Sequence, residues 1–261
     1  MGFGQLRQHL ESLAAAGVRD LPRGVATVSP PGVVADSVSA SPPTGAESLS
    51  GPPAPEPGPS DFLPLRRLAA DALASRQAAL NSVRAEVAGC TRCGELARCR
   101  TQTVFGSGHA AARICFLGEA PGADEDASGE PFVGRAGQLL TKIIEACRLK
   151  RDDVFILNVL KCRPPGNRRP LPEEVENCRP FFQRQLEILT PELICCLGAT
   201  AAQALLGTNA SIGALRGRWH QYGGVPVLCT YHPSYLLRNP AAKRDVWDDM
   251  KTMMRQLGVE L

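Results

Sequence analysis

Residues 113–137 read RICFLGEAPGADEDASGEPFVGRAG, an apolar run that ends in a glycine-proline-glycine turn filled with carboxylates. The run 113–118 is apolar on consecutive positions, which is typical of a strand buried on both faces in a parallel sheet. The turn admits four interpretations: a phosphate loop, a carboxylate metal site, a solvated acidic turn, or the wall of a pocket. A phosphate loop is disfavoured because the acids repel phosphate and the Lys-Ser/Thr pair of a P-loop is missing. A carboxylate metal site lacks a partner cluster.

Similar apolar runs recur along the chain and alternate with helical patterns, which predicts an α/β fold with a parallel sheet covered on both faces. The strands are predicted at 113–118, 154–159, 193–197 and 225–230. The helices are predicted at 63–89, 134–148, 172–189, 199–206 and 240–257.

Polar residues follow three of the predicted strands: the turn 118–122, Asn158, and the His-Pro-Ser segment 232–234. Ligands of parallel sheets bind beyond the carboxyl ends of the strands. We therefore expect these three loops to form one site.

The N-terminal part of the chain has a different composition. Residues 1–26 include a short amphipathic pattern at 5–17, predicted as a tethered helix, with the alternative of a helix that binds a protein partner. Residues 27–62 are rich in Pro, Ser and Gly and predict a disordered linker, with a docking segment as the alternative. Residues 63–261 are predicted to form one folded domain that carries the expected site.

Composition sets limits on location and partners. The formal net charge of +3 is too small to indicate nucleic-acid binding by itself. The N-terminus does not resemble a signal peptide, and the longest uncharged apolar run, 193–207, is shorter than the roughly 20 residues that a membrane span needs. We expect a soluble, cytoplasmic monomer that does not associate with a membrane.

Ten cysteines in a chain from a reducing compartment indicate metal or cluster ligands rather than disulfides. Cys90-x2-Cys93, together with Cys162 and Cys178, could supply four thiolates to zinc or to an iron-sulfur cluster, and the spacing alone does not choose between them. Cys99 is the main rival ligand, and Cys147 stays unassigned. Four others lie inside predicted strands and are expected in the core: Cys115, Cys195, Cys196 and Cys229.

Four motifs in this order give the chain a specific resemblance over about residues 85–257: the C-x2-C pair, GEAPGADEDASGEPFVGRAG, NVLKCRPPGNRRP and HPSYLLRNP. The chain closely resembles the family 4 uracil-DNA glycosylases, which are iron-sulfur members of the uracil-DNA glycosylase superfamily. The resemblance implies a three-layer α/β/α sandwich with a central four-stranded parallel sheet. It also implies a [4Fe-4S] cluster held by Cys90, Cys93, Cys162 and Cys178, and hydrolytic removal of uracil from DNA in base excision repair.

The resemblance also implies roles for site residues. Glu119 matches the acid that positions the attacking water, and His232 matches the histidine that stabilises charge on uracil O2. Phe132 matches the aromatic residue that stacks on uracil, and Asn158 matches the amide that reads its edge. We expect Gly118 and Gly122 to contribute to the same substrate site.

The chain departs from better-known relatives at Ala120, where they carry an Asp. This departure makes Glu125 a candidate helper of Glu119 in activating water. Some members of the superfamily trap uracil-DNA covalently through a histidine between the third and fourth cluster cysteines. Residues 163–177 contain no histidine, so we expect turnover.

DNA contacts are expected from basic residues beside the three site loops and from an apolar wedge after the His-Pro-Ser motif. The predicted DNA-binding residues are Arg163, Arg168, Arg169, Leu236, Leu237 and Arg238. Either Leu236 or Leu237 is expected to fill the space that the flipped base leaves.

Two alternatives to a uracil-excising enzyme stay open at this point. The first is a non-catalytic iron-sulfur DNA-binding protein of the same fold, in which the pocket persists and Ala120 abolishes the chemistry. The second is a nucleotide-binding protein that uses the glycine-rich turn on phosphate.

Overall fold

The computed structural model describes residues 63–261. The helix predicted within 1–26 and the linker predicted at 27–62 lie outside the described residues.

The described residues form an α/β fold around a mixed six-stranded sheet with the order β1-β3-β2-β4-β6-β5. The strands are β1 Ser107–Gly108, β2 Ile114–Gly118, β3 Phe155–Asn158, β4 Leu193–Leu197, β5 Trp219–Tyr222 and β6 Val225–Thr230. The four predicted strands, now β2, β3, β4 and β6, pair in parallel in the middle of the sheet. The prediction of a four-stranded parallel sheet was incomplete, because β1 and β5 pair antiparallel at the two edges.

The sequence did not reveal the edge strands because neither carries a buried apolar run. Strand β1 has only two residues, and β5 alternates exposed and half-buried side chains, as an edge strand with a solvent face does. Gly223 and Gly224 both have positive φ, at 55° and 83°, and form the two-residue turn from β5 to β6. This hairpin fixes the register of β5 on β6.

Helices cover the sheet between the strands. They are α1 Ala70–Ala88, α2 Gly94–Cys99, α3 Ala123–Ser128, α4 Arg135–Ala146, α5 Pro172–Leu189, α6 Ala199–Leu206, α7 Ile212–Leu215, α8 Pro233–Arg238 and α9 Lys243–Gln256. The five predicted helices correspond to α1, α4, α5, α6 and α9. Helix α1 begins seven residues later than predicted, and a separate short turn, Pro240–Ala242, precedes α9. None of the described helices is long and apolar enough to span a membrane.

Two hydrophobic clusters occupy the two faces of the sheet. Successive residues of β2 belong to opposite clusters: Cys115 packs with α1 and α5 side chains, and Phe116 packs with α4 and α9 side chains. Every residue of β2 is buried, which explains the apolar run without alternation. The central strands are thus fixed on both faces, and their carboxyl ends form a rigid base for the loops that follow.

Candidate active site

A cavity of about 490 Å³ opens beyond the carboxyl ends of β2, β3 and β6. Its lining includes Glu119 from the turn after β2, Asn158 from the end of β3, and His232 from the loop after β6. Phe132 and Gly122 also line it. The three loops that we expected to form one site therefore do lie around one cavity.

Asn158 closes one side of the cavity with an unpaired acceptor. The residue is 2% exposed, and its Oδ1 atom is buried without a hydrogen-bond partner. Leaving a buried acceptor unpaired costs about 1–3 kcal/mol, so such an atom is matched to a ligand that brings a donor. Its backbone carbonyl is occupied, because it accepts from Lys161 Nζ at 2.7 Å.

The Phe132 ring forms a second wall, and two glycines make room for it. Phe132 has φ of 53°, in the left-handed region that non-glycine residues seldom adopt. A Cβ atom at Gly118 would overlap both the Phe132 ring and the Asn158 amide. A Cβ atom at Gly137 would overlap the Phe132 carbonyl. Gly118 thus supports the cavity by letting the ring and the amide lie close together.

Glu125 fastens the loop that carries Phe132. One carboxylate oxygen accepts from the N–H of Gly122 at 3.0 Å, and the other accepts from the N–H groups of Val133 at 2.9 Å and Gly134 at 3.0 Å. Gly122 and Gly134 are the N-cap residues of α3 and α4, where carboxylates are stabilised by the helix dipoles. Both carboxylate oxygens of Glu125 accept from backbone N–H groups. We therefore assign Glu125 the role of a clamp that holds the Phe132 loop, in place of the predicted role as a helper in water activation.

His232 is held in a defined orientation beside Phe132, with the ring centroids 5.5 Å apart. Its Nδ1 accepts from the backbone N–H of Ser234 at 3.1 Å and lies 2.8 Å from Ser234 Oγ. Burial of the ring and, to a smaller extent, the nearby Arg238 together lower the pKa of His232 to about 4, against an opposing effect of Glu125. His232 is therefore neutral at neutral pH, and acceptance at Nδ1 leaves the proton on Nε2.

Cys162 and Cys178 lie beside this cavity in a small buried cluster with Leu96 and Leu160. Cys93 and Ala120 pack against that cluster, so the residue that replaces the Asp of better-known relatives lies between the cavity and the cysteines.

The four predicted ligand thiols influence one another. The pKa of the Cys178 thiol is raised to about 12, mainly by burial and to a smaller extent by Cys162 and Cys93, against an opposing effect of Lys161. Burial likewise raises the pKa of Cys162, with a contribution from Cys90. Four such thiols cannot ionise together unless cations neutralise them, which fits a donor set for metal.

Nitrogen donors lie beside two of these sulfurs. Arg100 Nη1 donates to Cys162 Sγ at 3.1 Å, and Asn177 Nδ2 lies 3.5 Å from Cys93 Sγ. Cys99 is exposed at the end of α2. Within residues 63–261, no group of three or more His, Cys, Asp or Glu side chains has the arrangement to hold a single metal ion.

Comparisons with known proteins agree with this geometry. Residues 105–251 match the model of the uracil DNA glycosylase superfamily. The chain is 45% identical over 181 residues to the type-4 uracil-DNA glycosylase of Thermotoga maritima, an alignment that covers 68% of this chain and 94% of that protein. It is 43% identical over 182 residues to the type-4 uracil-DNA glycosylase of Archaeoglobus fulgidus, covering 66% and 90%.

The chain belongs to the type-4 uracil-DNA glycosylases. The identification made from the four motifs is thereby confirmed, and with it the function as a DNA glycosylase that acts on uracil-containing DNA.

The structure separates the residues that were predicted to contact DNA. In this glycosylase Leu236 is 1% exposed and packs in the core, whereas Leu237 is 40% exposed on the same helix, α8. Leu236 is therefore excluded as a wedge. Arg238 lines the cavity, and Arg169 is exposed with one nitrogen on Gln203 at 2.9 Å.

Arg168 has a structural partner that the sequence did not reveal. It donates to both carboxylate oxygens of the buried Glu174, at 2.6 Å and 2.9 Å, and to Glu95 at 2.8 Å. Glu95 lies on α2 and Glu174 on α5, so Arg168 joins the segments that follow Cys93 and precede Cys178. The hydrogen bonds to these two carboxylates raise the pKa of Arg168 above its usual range.

Sequence reasoning missed other cavity residues of the glycosylase. Asn167, Arg135 and Tyr235 line the cavity, together with Ser234 of the His-Pro-Ser segment that the sequence had placed at the site. Asn167 has φ of 55° and accepts from Arg163 Nε at 2.7 Å. The Pro-Pro-Gly-Asn turn that contains Asn167 entered the sequence analysis only within the NVLKCRPPGNRRP motif, although Asn in a glycine turn is a usual signal for the left-handed conformation.

Proposed function

We propose that this uracil-DNA glycosylase binds a flipped uracil in the 490 Å³ cavity and hydrolyses its N-glycosidic bond there, leaving an abasic site. The observation that carries this proposal is the unpaired, buried Oδ1 of Asn158 beside the Phe132 ring and His232. An acceptor, a stacking face and a neutral donor are the three elements that a uracil pocket needs.

Uracil in a duplex is accessible only after the nucleotide rotates out of the stack, which costs a few kcal/mol. Phe132 supplies a face for stacking on the extruded base. Asn158 accepts from N3–H of uracil through Oδ1 and donates to O4 through its amide nitrogen. Cytosine has an acceptor at N3 and a donor at C4, so the same amide opposes it.

Cleavage breaks the C1′–N1 bond, and its electron pair leaves with the base, so that negative charge develops on uracil O2. The Nε2–H of neutral His232 donates to that oxygen. Glu119 orients a water molecule whose oxygen bonds to C1′, accepts the proton that the water loses, and offsets the positive charge on the sugar. Each of these groups stabilises charge that grows during the step.

Cys90, Cys93, Cys162 and Cys178 are proposed to hold a [4Fe-4S] cluster. The donor set supports it, since Cys162, Cys178 and Cys93 pack in one cluster and N–H groups of Arg100 and Asn177 point at two of these sulfurs. When bound, the cluster cross-links the chain segments that carry the four cysteines and supplies no step of the hydrolysis. Arg168, Glu95 and Glu174 hold the same segments together through side chains.

DNA binding is proposed to involve Arg163, Arg169 and Arg238 at phosphates, with Leu237 as the inserted side chain. Arg238 and Leu237 extend from α8, directly after His232, so contact with the duplex and contact with the base come from one short helix. The exposed fraction of Leu237 supports the choice of this leucine over Leu236.

The test is incubation of the purified protein with a single-uracil oligonucleotide, followed by alkali to cleave abasic sites. We expect strand scission by the wild type and at least about a 100-fold lower rate for Asn158→Ala and for His232→Ala. Lys142→Ala, an exposed change on α4, serves as the control. If the protein retains the visible absorption of its cluster and binds the oligonucleotide without scission, the alternative of a non-catalytic iron-sulfur DNA-binding protein is established.

A further inference from the structure

Lys161 is a buried ammonium group in an otherwise apolar part of the protein. Its side chain is 1% exposed, and of residues 63–261 it is the only lysine or arginine in the buried class. Taking an ammonium ion out of water costs several kcal/mol unless hydrogen bonds and opposite charges compensate it. Its place next to Cys162 and three residues after Asn158 therefore requires an explanation in terms of what it binds.

The Lys161 ammonium is directed back to the strand end that carries Asn158. Nζ donates to the Asn158 carbonyl at 2.7 Å and to the Phe105 carbonyl at 3.3 Å. Gln185 also donates to the Phe105 carbonyl, at 2.9 Å, from the core side. Lys161 thus sits in a buried polar network whose other end is the backbone of the proposed uracil reader.

The peptide unit after Asn158 is held at both of its polar groups. Its N–H, which belongs to Val159, donates to the Gly118 carbonyl at 3.0 Å, and its carbonyl accepts from Lys161. The next N–H, of Leu160, donates to the Glu119 carbonyl at 3.1 Å. The side chain of Lys161 therefore completes the fixation of the Asn158 backbone against the turn that carries Glu119.

The other side of Lys161 faces the cysteines. Its backbone N–H donates to the Cys178 thiol. The next residue in the chain is Cys162. The Lys161 backbone thus adjoins two proposed cluster ligands, Cys178 through a hydrogen bond and Cys162 through the peptide bond.

We propose that Lys161 is a positioning residue for uracil recognition, and that it couples the orientation of Asn158 to the occupied cysteine cluster. The proposal rests on the roles assigned above to Asn158 and to the four cysteines. On one side the Lys161 backbone contacts proposed cluster ligands, and on the other its side chain fixes the carbonyl of the residue whose amide reads the base. Cluster loss then weakens uracil excision even where the fold persists.

The test is a double-mutant cycle on the single-turnover excision rate, measured with enzyme in excess over a single-uracil oligonucleotide. Lys161→Met keeps the length of the side chain and removes its donors. We expect it to lower the rate at least about 10-fold, and Asn158→Ala to lower it more. The double variant should excise at the rate of Asn158→Ala within about twofold, because Lys161 acts through Asn158. Lys142→Met is the matched control and should leave the rate unchanged.

Two further readouts separate positioning from a general loss of structure. Lys161→Gln, which retains a donor for the Asn158 carbonyl, should recover part of the rate that Lys161→Met loses. The midpoint potential of the cluster should become more negative in Lys161→Met than in Lys142→Met, since a nearby positive charge is removed. If Lys161→Met is isolated without the visible absorption of the cluster, Lys161→Gln takes its place in the cycle: it should lose less of the rate, and its double variant with Asn158→Ala should excise at the rate of Asn158→Ala.

If the double variant loses the product of the two single-variant rate losses, the positioning role is overturned. It is also overturned if Lys161→Met retains the visible absorption of the cluster and excises uracil at the wild-type rate. A wild-type rate in Asn158→Ala would overturn the reading role of Asn158 and the positioning role with it. In both cases, uracil excision by the wild type in the same experiment shows that the proposed glycosylase function still holds.

Discussion

Gly118 has no Cβ atom, and this absence leaves room for two side chains of the site. A Cβ atom there would overlap the Asn158 amide and the Phe132 ring, and both belong to the proposed uracil pocket. Gly118→Ala should therefore lower the excision rate at least about 10-fold, since the ring and amide must separate to admit the methyl group. Gly213→Ala on α7, where the nearest atom is 4.0 Å away, is the control and should keep the wild-type rate. Equal rates for the two variants would contradict the pocket geometry.

His232 predicts an unusual pH profile. Burial and Arg238 lower its pKa to about 4, so the neutral ring, whose Nδ1 accepts from Ser234, persists throughout the range in which an ordinary histidine titrates. The single-turnover rate should show no decline near pH 6.5 and should fall only toward pH 4. As pH falls, the His232 ring of the unfolded chain takes up a proton near about pH 6.5, before the folded ring does. The contribution of His232 to stability is therefore fully present above about pH 6.5 and is lost toward pH 4. A loss of activity centred near pH 6.5 that is absent from His232→Gln would contradict this assignment.

At the scale of elements, Glu125 joins the start of α3 to the start of α4 through three backbone N–H groups. In Glu125→Gln the amide NH2 faces one or more of these donors and leaves them unpaired. We expect a loss of about 1–3 kcal/mol in the free energy of unfolding, measured by urea denaturation. Glu130→Gln, an exposed acid of the same loop, should change stability by less than about 0.5 kcal/mol. A comparable effect of both substitutions would contradict the clamp.

Long elements were predictable from the sequence and short ones were not. The buried strands and the helices α4, α5, α6 and α9 have apolar patterns that their own residues determine. Strands β1 and β5 and helices α2, α3, α7 and α8 are short and form because neighbouring elements hold them, a condition that local patterns do not record.

The same distinction applies to the site. Asn158 and His232 were predictable because polar residues follow apolar strands, and parallel strands end at one edge. The clamp of Glu125, the pairing of Arg168 and the burial of Lys161 depend on residues distant in the sequence or on backbone groups, and composition carries no signal for them. Leu236 and Leu237 differ in exposure only through the rotation of α8.

At the scale of the whole molecule, affinity for DNA should come from a small number of phosphate contacts. Arg238 lines the cavity and Arg169 is exposed, whereas Arg168 is neutralised by two carboxylates. The logarithm of the DNA association constant should fall linearly with the logarithm of salt concentration. Arg238→Ala and Arg169→Ala should each reduce that slope by about 0.9 for duplex DNA, and Arg168→Ala should reduce it less. A reduction by Arg168→Ala as large as that by Arg238→Ala would contradict the distinction.

The central claim is that the whole fold presents one acceptor, Asn158 Oδ1, to the N3–H of a flipped uracil. The most direct measurement compares single-turnover excision of uracil and of 3-methyluracil from otherwise identical oligonucleotides. We predict that the wild type excises the methylated base at least about 100-fold more slowly, because the methyl group replaces the N3–H donor and leaves Asn158 Oδ1 without a hydrogen bond. The difference should shrink in Asn158→Ala, where the amide is absent. Equal excision of the two bases by the wild type would contradict the account.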